Sequence, residues 1–217
     1  MEMEIPLTPS SRKPGRSILG KEDWIAAALT MLVKEGIAAV EITRLANELT
    51  VSRGSFYWHF KDRGDLLAAL IEEWRQLNSD SIRETLSNAD NLEDGILGLF
   101  TVWVSMEPFN AKLDQAMRDW ARLSQAVKSA VEQEDESRIG AIQSFFENRG
   151  YTDTEAFIRA RIIYFTQVSY YSLGVNEPMA QRLSYLKEYY RCFTGREIND
   201  QTAEAYCEIY SNKELVA

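Results

Sequence analysis

Apolar positions along this chain recur every three to four residues. Ile25, Ala28, Leu29, Leu32 and Val33 fall at i, i+3, i+4, i+7 and i+8, which predicts an amphipathic helix over about 21–35, stopped at Gly36. Leu45, Ala46 and Leu49 mark the inner face of a second, shorter helix over about 41–49, with Val51 plugging the turn after it. Ser52 suits the N-cap of a third helix ending near His59, whose Phe56 and Phe60, four apart, point back onto the first two. Asp62 and Asp65 form the cap of a fourth helix, continued by Leu66, Leu67, Leu70, Ile71 and Trp74 as a connector to the C-terminal two thirds of the chain. Further helical segments are predicted over 91–105, 108–123, 124–148, 152–174, 178–194 and 201–211. There is no Asn-Gly hairpin signal and there are few alternating runs, so the fold class is all-α.

Composition narrows this picture. The 217 residues are 45% hydrophobic, enough for a sizeable core, yet no run of 18 apolar residues is present to span a membrane. Residues 1–16 are polar and carry Pro6, Pro9, Pro14 and Gly15; without an apolar stretch they read as a mobile arm, not a signal peptide. Cys192 and Cys207 fit no zinc or redox spacing and are expected to be reduced core residues of a cytoplasmic protein. The net charge is −9, but unevenly spread: residues 1–63 hold nine Lys/Arg against eight Asp/Glu, and residues 64–217 hold fifteen against twenty-five. Arg12, Lys13, Arg16 and Lys21 form a basic stretch free of acids. A near-neutral head on an acidic body is what a nucleic-acid reader with a separate control domain would show. The expected division is an arm over 1–16, a head over 17–77 and a helical body over 78–217.

The stretch EITRLANELTVSRGSFYWHFKDRGDLL, residues 41–67, is the pattern of a helix-turn-helix whose second helix enters the major groove of DNA. With Phe56 and Phe60 turned inward, Ser52, Arg53, Gly54, Ser55, Tyr57, Trp58 and His59 are left nearer the outside. Arg53, in the first turn, is placed to donate bidentately to guanine. Gly54 lowers helix propensity by about 1 kcal/mol relative to Ala, a cost that makes sense where backbone must approach DNA closely. Ser55 suits a base or a phosphate, Tyr57 and His59 suit phosphate oxygens, and Lys61 and Arg63 extend the backbone clamp. Thr43 and Arg44 lie near the end of the second helix that faces the phosphate strand. Taken alone, Tyr57 and Trp58 also fit plain packing, and a lone histidine is commonly structural. No second ligand of matching spacing stands near His59, so no metal and no other cofactor is expected.

Residues from about Arg16 to Leu77 resemble the N-terminal domain of the TetR family of transcriptional regulators. The likeness rests on Ala26 and Leu29, Gly36, Arg44-Leu45-Ala46, Val51-Ser52, Phe56-Tyr57-Trp58-His59-Phe60, and Arg63 with Leu66 and Leu67. It departs at Thr50, where the family often has Gly, and at Gly64, where it often has an acid. The resemblance implies DNA contacts from Thr43, Arg44, Arg53, Ser55, Tyr57, Trp58 and His59, and a phosphate contact at Arg63. The arm with Arg12, Lys13 and Arg16 would reach the adjacent minor groove, or else remain a solvated tail. The resemblance further implies an N-terminal three-helix helix-turn-helix domain and a C-terminal effector-binding and dimerisation domain.

Two heads on a twofold axis would read a palindromic operator in double-stranded DNA, so a homodimer is expected. The faces Ala160, Ile163, Tyr164, Gln167, Val168 and Tyr171, and Leu183, Leu186, Tyr190 and Phe193, are the candidate interface. The body is rich in aromatics, and a small apolar or aromatic effector lined by Phe100, Trp103, Trp120, Tyr164 and Gln167 is expected. The run Leu113-Asp114-x-Ala116-Met117-Arg118-x-Trp120-Ala121, with Asp135 and Arg138, resembles a body motif of one family branch. Glu132, Glu134, Asp135 and Glu136 read as a solvated face. No Gly-rich phosphate loop, GxSxG elbow or metal-ligand cluster appears, which excludes the common enzyme signatures. The resulting expectation is a ligand-responsive repressor, with an activator of the same fold or a non-specific DNA binder as alternatives.

Overall fold

The computed structural model describes residues 19–105 and 109–211. Arg12, Lys13 and Arg16 of the basic arm, and Met106, lie outside the described residues, within which all regular structure is helical. Helix α1 (Lys21–Glu35) opens at Gly20, whose N–H donates to Asp23 Oδ2 at 2.7 Å, and ends at Gly36 with φ 81°. Its core face is Trp24, Ala28, Leu29, Met31 and Leu32; Ile25 and Val33, expected at the centre of that face, are only half-buried. The face is rotated by part of a turn so that the larger Trp24 ring is the one removed from water. A 3-10 turn (Ile37–Ala39) leads to α2 (Ile42–Glu48) and then to α3 (Arg53–Phe56). The recognition element is shorter as α-helix than residues 52–59. Past Phe56 it tightens, with Tyr57 N, Trp58 N and His59 N bonded three residues back to Gly54, Ser55 and Phe56 carbonyls.

Between α2 and α3, Val51 N donates to Ala46 O at 2.9 Å, and Thr50 has φ 56°. Among the described residues it is the sole non-glycine with positive φ. A β-branched residue in that region costs about 1–2 kcal/mol. Glycine would relieve the strain but raise the entropy of the unfolded chain by about 0.4–1 kcal/mol. Thr50→Gly is therefore expected to stabilise the protein by about 0.5–1 kcal/mol, seen as a melting temperature about 1–4 °C higher. A lower melting temperature would refute the strain.

Helix α4 (Arg63–Arg75) is capped as expected: Asp65 N donates to Asp62 Oδ1 at 2.9 Å and Lys61 N to Asp65 Oδ2 at 3.0 Å. It does not stop near Trp74. A π-helical turn (Gln76–Asp80) joins it to α5 (Ser81–Ser87), so one bent rod runs from the head into the body. The extra residue in the wide turn brings Asn78 and Ser79 into the interior. Then come α6 (Leu92–Ser105), α7 (Ala111–Ala121), α8 (Gln125–Glu147) and α9 (Asp153–Ser172), the last three capped by Asn110, Ser124 and Thr152 side chains. The segment expected as one helix over 178–194 is broken at Tyr185 into α10 (Met179–Ser184) and α11 (Leu186–Thr194), and α12 (Asp200–Ser211) closes the described chain. Cys192 is exposed, against expectation, while Cys207 is half-buried and packs against the body core.

The apolar core around α1–α4 is not closed by head residues alone. Leu113, Met117 and Trp120 of α7 and Val127 and Val131 of α8 pack into it beside Trp24, Leu45, Phe56 and Phe60. A second core lies wholly in the body. Where the cores meet, the motif on α7 and α8 forms a buried polar cluster. Asp114, fully buried, accepts from Arg138 Nη1 at 2.8 Å, Arg118 Nε at 2.9 Å and the Trp74 indole N–H at 3.0 Å. Arg118 also forks onto Asp135 at 2.7 and 2.9 Å, and Arg138 Nε donates to Ser79 at 2.9 Å. The Asn78 amide bridges to Asn110, donating to its carbonyl and accepting its N–H, each at 3.0 Å. Burial alone would raise the Asp114 carboxyl; the charges of Arg138 and Arg118 outweigh it and hold it below the usual carboxylate range.

This cluster corrects two expectations. Asp135 and Glu134 are not part of a solvated face: Asp135 holds Arg118, and Glu134 lies 3.1 Å from Arg75 on α4. Tyr164 lines no effector cavity; its hydroxyl donates to Asp135 at 2.5 Å and accepts from Arg118 and Arg138 at 3.0 and 3.2 Å. Burial drives its pKa upward, so the phenol stays protonated. The expected dimer faces are corrected as well. Ala160, Ile163, Tyr164 and Gln167 are buried within the monomer, as are Leu186, Tyr190 and Phe193. The exposed apolar row of α9 is instead Phe157, Ile158, Ile162 and Phe165. Helix α9 is apolar on most sides, so its periodicity does not reveal which side faces its own core.

Candidate nucleic-acid interface

The recognition element is held from beneath by aromatic packing. Phe56 and Phe60 are buried and stacked with ring centres 5.2 Å apart, and Trp24 meets Phe56 edge-on at 5.3 Å. Burying rings of this size contributes roughly 1.5–3 kcal/mol each, which fixes the direction in which the remaining side chains project. Ser52, Arg53 and Gly54 are exposed, and Ser55 and His59 half-exposed. Tyr57 is 54% exposed and Trp58 88% exposed. Simple packing therefore does not account for Trp58, an indole left almost wholly in water. Thr43 and Arg44 on α2 and Lys61 beyond α3 are exposed on the head's surface too.

Two of the expected DNA residues are committed within the head. Arg63 donates from Nε to Val40 O at 2.7 Å and from Nη2 to Ile37 O at 3.0 Å, tying α4 to the turn between α1 and α2. Its guanidinium holds backbone carbonyls and is not a free phosphate clamp: it supplements the Val40 N–H bond to Ile37 O and supplies a donor to Val40 O. Arg44 pairs with Glu35 at 2.6 Å, with both side chains about half exposed. Water and a phosphate can compete for that pair. Ser52 occupies the N-cap position of α3 but its hydroxyl makes no cap bond, which leaves it available to a ligand.

Gly54 separates function from folding. A Cβ there would meet only Ser52 Oγ, at 3.6 Å, an ordinary contact. Gly54→Ala should therefore stabilise the head by up to about 1 kcal/mol while placing a methyl on the face offered to DNA. The expected result is a higher melting temperature with weaker DNA binding. Unchanged or tighter binding would show that backbone at Gly54 does not approach the groove.

The body contains a narrow apolar cavity of about 60 Å³, partly open to solvent, walled by Phe100, Trp103, Ile163, Leu186, Tyr189 and Phe193 among others. Of the five expected lining residues, Phe100, Trp103 and Gln167 stand there. Trp120 lines instead a larger cleft of about 700 Å³, bounded by Leu32, Val33, Gly36 and Ile37 of the head and by α7 and α9. Tyr164 lines neither. Sequence reasoning missed Arg182, Tyr189, Phe193 and Tyr206, which reach the cavity from α10, α11 and α12. Only the packing of these late helices brings them together, and no local spacing signals it.

A short helix–turn–helix with an exposed second element, set on a helical body with an internal cavity, defines an all-α protein built to present one helix end to a surface. Residues 25–70 match the model of the family described as bacterial regulatory proteins, tetR family. Over 78 residues the chain is 31% identical to the uncharacterized HTH-type transcriptional regulator YerO of Bacillus subtilis, covering 36% of this chain and 25% of that protein. Over 52 residues it is 36% identical to the HTH-type transcriptional regulator AcrR of Shigella flexneri, covering 24% of each. The matches thus span about a quarter of these relatives' own length. The solved structure of the fatty acid degradation regulator FadR from Bacillus halodurans shares the fold over 86% of this chain and 100% of its own, with TM-score 0.61 and 16% identity. Residues 25–70 thus form an N-terminal domain of the TetR type.

Proposed function

We propose that this protein is a sequence-specific transcriptional regulator of the cytoplasm. It binds a palindromic operator as a homodimer and represses until a small apolar or aromatic effector releases it. The observation that carries the reading is the exposed pair Tyr57–Trp58 beside Arg53, aimed outward by the buried Phe56 and Phe60. Arg53 and Ser55 serve the base edges; Tyr57, Trp58, His59, Thr43 and Lys61 serve sugar and phosphate. Arg63 acts indirectly, by holding α4 against the head.

The dimer reading is supported by the exposed row Phe157, Ile158, Ile162 and Phe165 on α9, with Arg161 lying over both phenyl rings. Release is read from the rod α4–π turn–α5. The rod carries Trp74, Asn78 and Ser79 into the Asp114–Arg138 cluster, so a shift of α7 or α8 on effector binding reaches the head through bonds that cannot be left unmade. A coupling of about 1–3 kcal/mol would change operator affinity roughly 5–150-fold.

Titration of a labelled duplex carrying a palindrome selected from random DNA by this protein tests the reading. Binding is expected to saturate at two chains per palindrome; saturation at one chain would overturn the dimer. Affinity equal to that for unrelated DNA would overturn sequence-specific regulation.

A further inference from the structure

The apolar cavity and the head–body cleft share Trp103, Gln167, Tyr170 and Arg182 in their walls. Three of these hold donors without a partner among the described residues. Gln167 is 9% exposed and its amide makes no hydrogen bond. The Trp103 indole N–H is buried and unbonded. Arg182 has no acid; its guanidinium lies over the Tyr170 ring at 5.2 Å. At one junction stand a half-buried guanidinium with no acid, an amide with no protein partner and a buried indole N–H left unsatisfied; the last carries a desolvation cost that a bound acceptor would remove. The acids nearby are already engaged: Glu177 accepts from the Tyr170 hydroxyl at 3.0 Å, and Asp119 from Gln115 at 3.2 Å, with Arg122 at 3.8 Å. Lys112, which also lines the cleft, is exposed and has no ion pair among the described residues.

Building on the effector reading, we propose that the effector is an amphipathic organic anion. Its apolar body enters the cavity walled by Phe100, Leu186 and Phe193, and its carboxylate or other anionic group sits at the junction on Arg182 and Gln167. Arginine suits this role because its fork pairs with a carboxylate in two parallel bonds. A neutral isostere would leave the guanidinium and amide unsatisfied and so bind less well. The junction opens toward the cleft walled by Leu32, Val33, Gly36 and Ile37, so any polar extension of the ligand lies against α1 and the turn after it. Such a ligand would bias the position of the head by direct contact.

Calorimetric titration of the full chain with saturated eight- to sixteen-carbon carboxylates and their matching alcohols, and with 2-naphthoate and 2-naphthalenemethanol, tests this. At least one carboxylate is expected to bind ten-fold or more tightly than its alcohol. Arg182→Met is expected to erase that preference while leaving the alcohol's affinity within about two-fold. Acid and alcohol binding equally to the wild type, or a preference that survives in Arg182→Met, would overturn the anion and leave the effector cavity standing. Binding by neither class would overturn both.

Discussion

Asp114→Asn is expected to cost about 3–5 kcal/mol of stability, the usual consequence of removing one partner from a buried ion pair. In a chain of this size that corresponds to a melting temperature lower by about 6–20 °C. The substitution is nearly isosteric and creates no cavity. It leaves Arg138, which has no solvent exposure, without its carboxylate, and deprives Arg118 of one of its two. The pH dependence carries a second signature. The folded carboxyl titrates below its unfolded value of about 3.9, so the stabilisation is fully present above that value and is lost as pH falls through the lower, folded one. The wild type should therefore lose stability steeply below about pH 4, and Asp114→Asn should show a flatter profile there. Thermal melts across pH 3–7 check both; an unchanged melting temperature at pH 7 would mean that the cluster does not hold head and body together.

Arg53→Ala should leave the fold intact, since the side chain is exposed on the head's surface; its effect on stability is expected within about 0.5 kcal/mol. On the operator it removes one base-reading fork per half-site, worth about 1–3 kcal/mol each. Across two half-sites that is about 2–6 kcal/mol, or roughly a 30- to 20,000-fold loss of affinity. Unrelated DNA should lose far less. Anisotropy titrations on matched and scrambled duplexes give the ratio. An equal loss on both would make Arg53 a phosphate contact, and no loss on either would remove it from the interface.

The head was legible because its chemistry is local. The four-residue spacing of Phe56 and Phe60 assigns the inner side of the recognition element, and what remains is outside. The positive φ at Thr50 agrees with the resemblance, which places glycine at that turn position. The body was less legible wherever a residue's role depends on what packs against it. Nothing in the periodicity of residues 76–80 announces a π turn, and the partner of its Asn78, Asn110, lies 32 residues away. Arg63 looked like a phosphate clamp by position, yet its fork meets the carbonyls of Ile37 and Val40, whose proximity is a property of the folded turn. Tyr164 looked like cavity lining because it shares a face with Gln167, but the arginines of α7 and α8 claim its hydroxyl. The motif around Asp114 was visible as a pattern; its meaning as a charge cluster needed α7, α8 and α9 in place.

Selection of bound sequences from a random DNA pool probes the central claim most directly, because it reads the recognition element, its partner copy and their separation together. The account predicts enrichment of one inverted repeat whose half-sites lie about one helical turn, 34–36 Å, or a multiple apart. A pool that stays unenriched, or yields only a single asymmetric site, would contradict it.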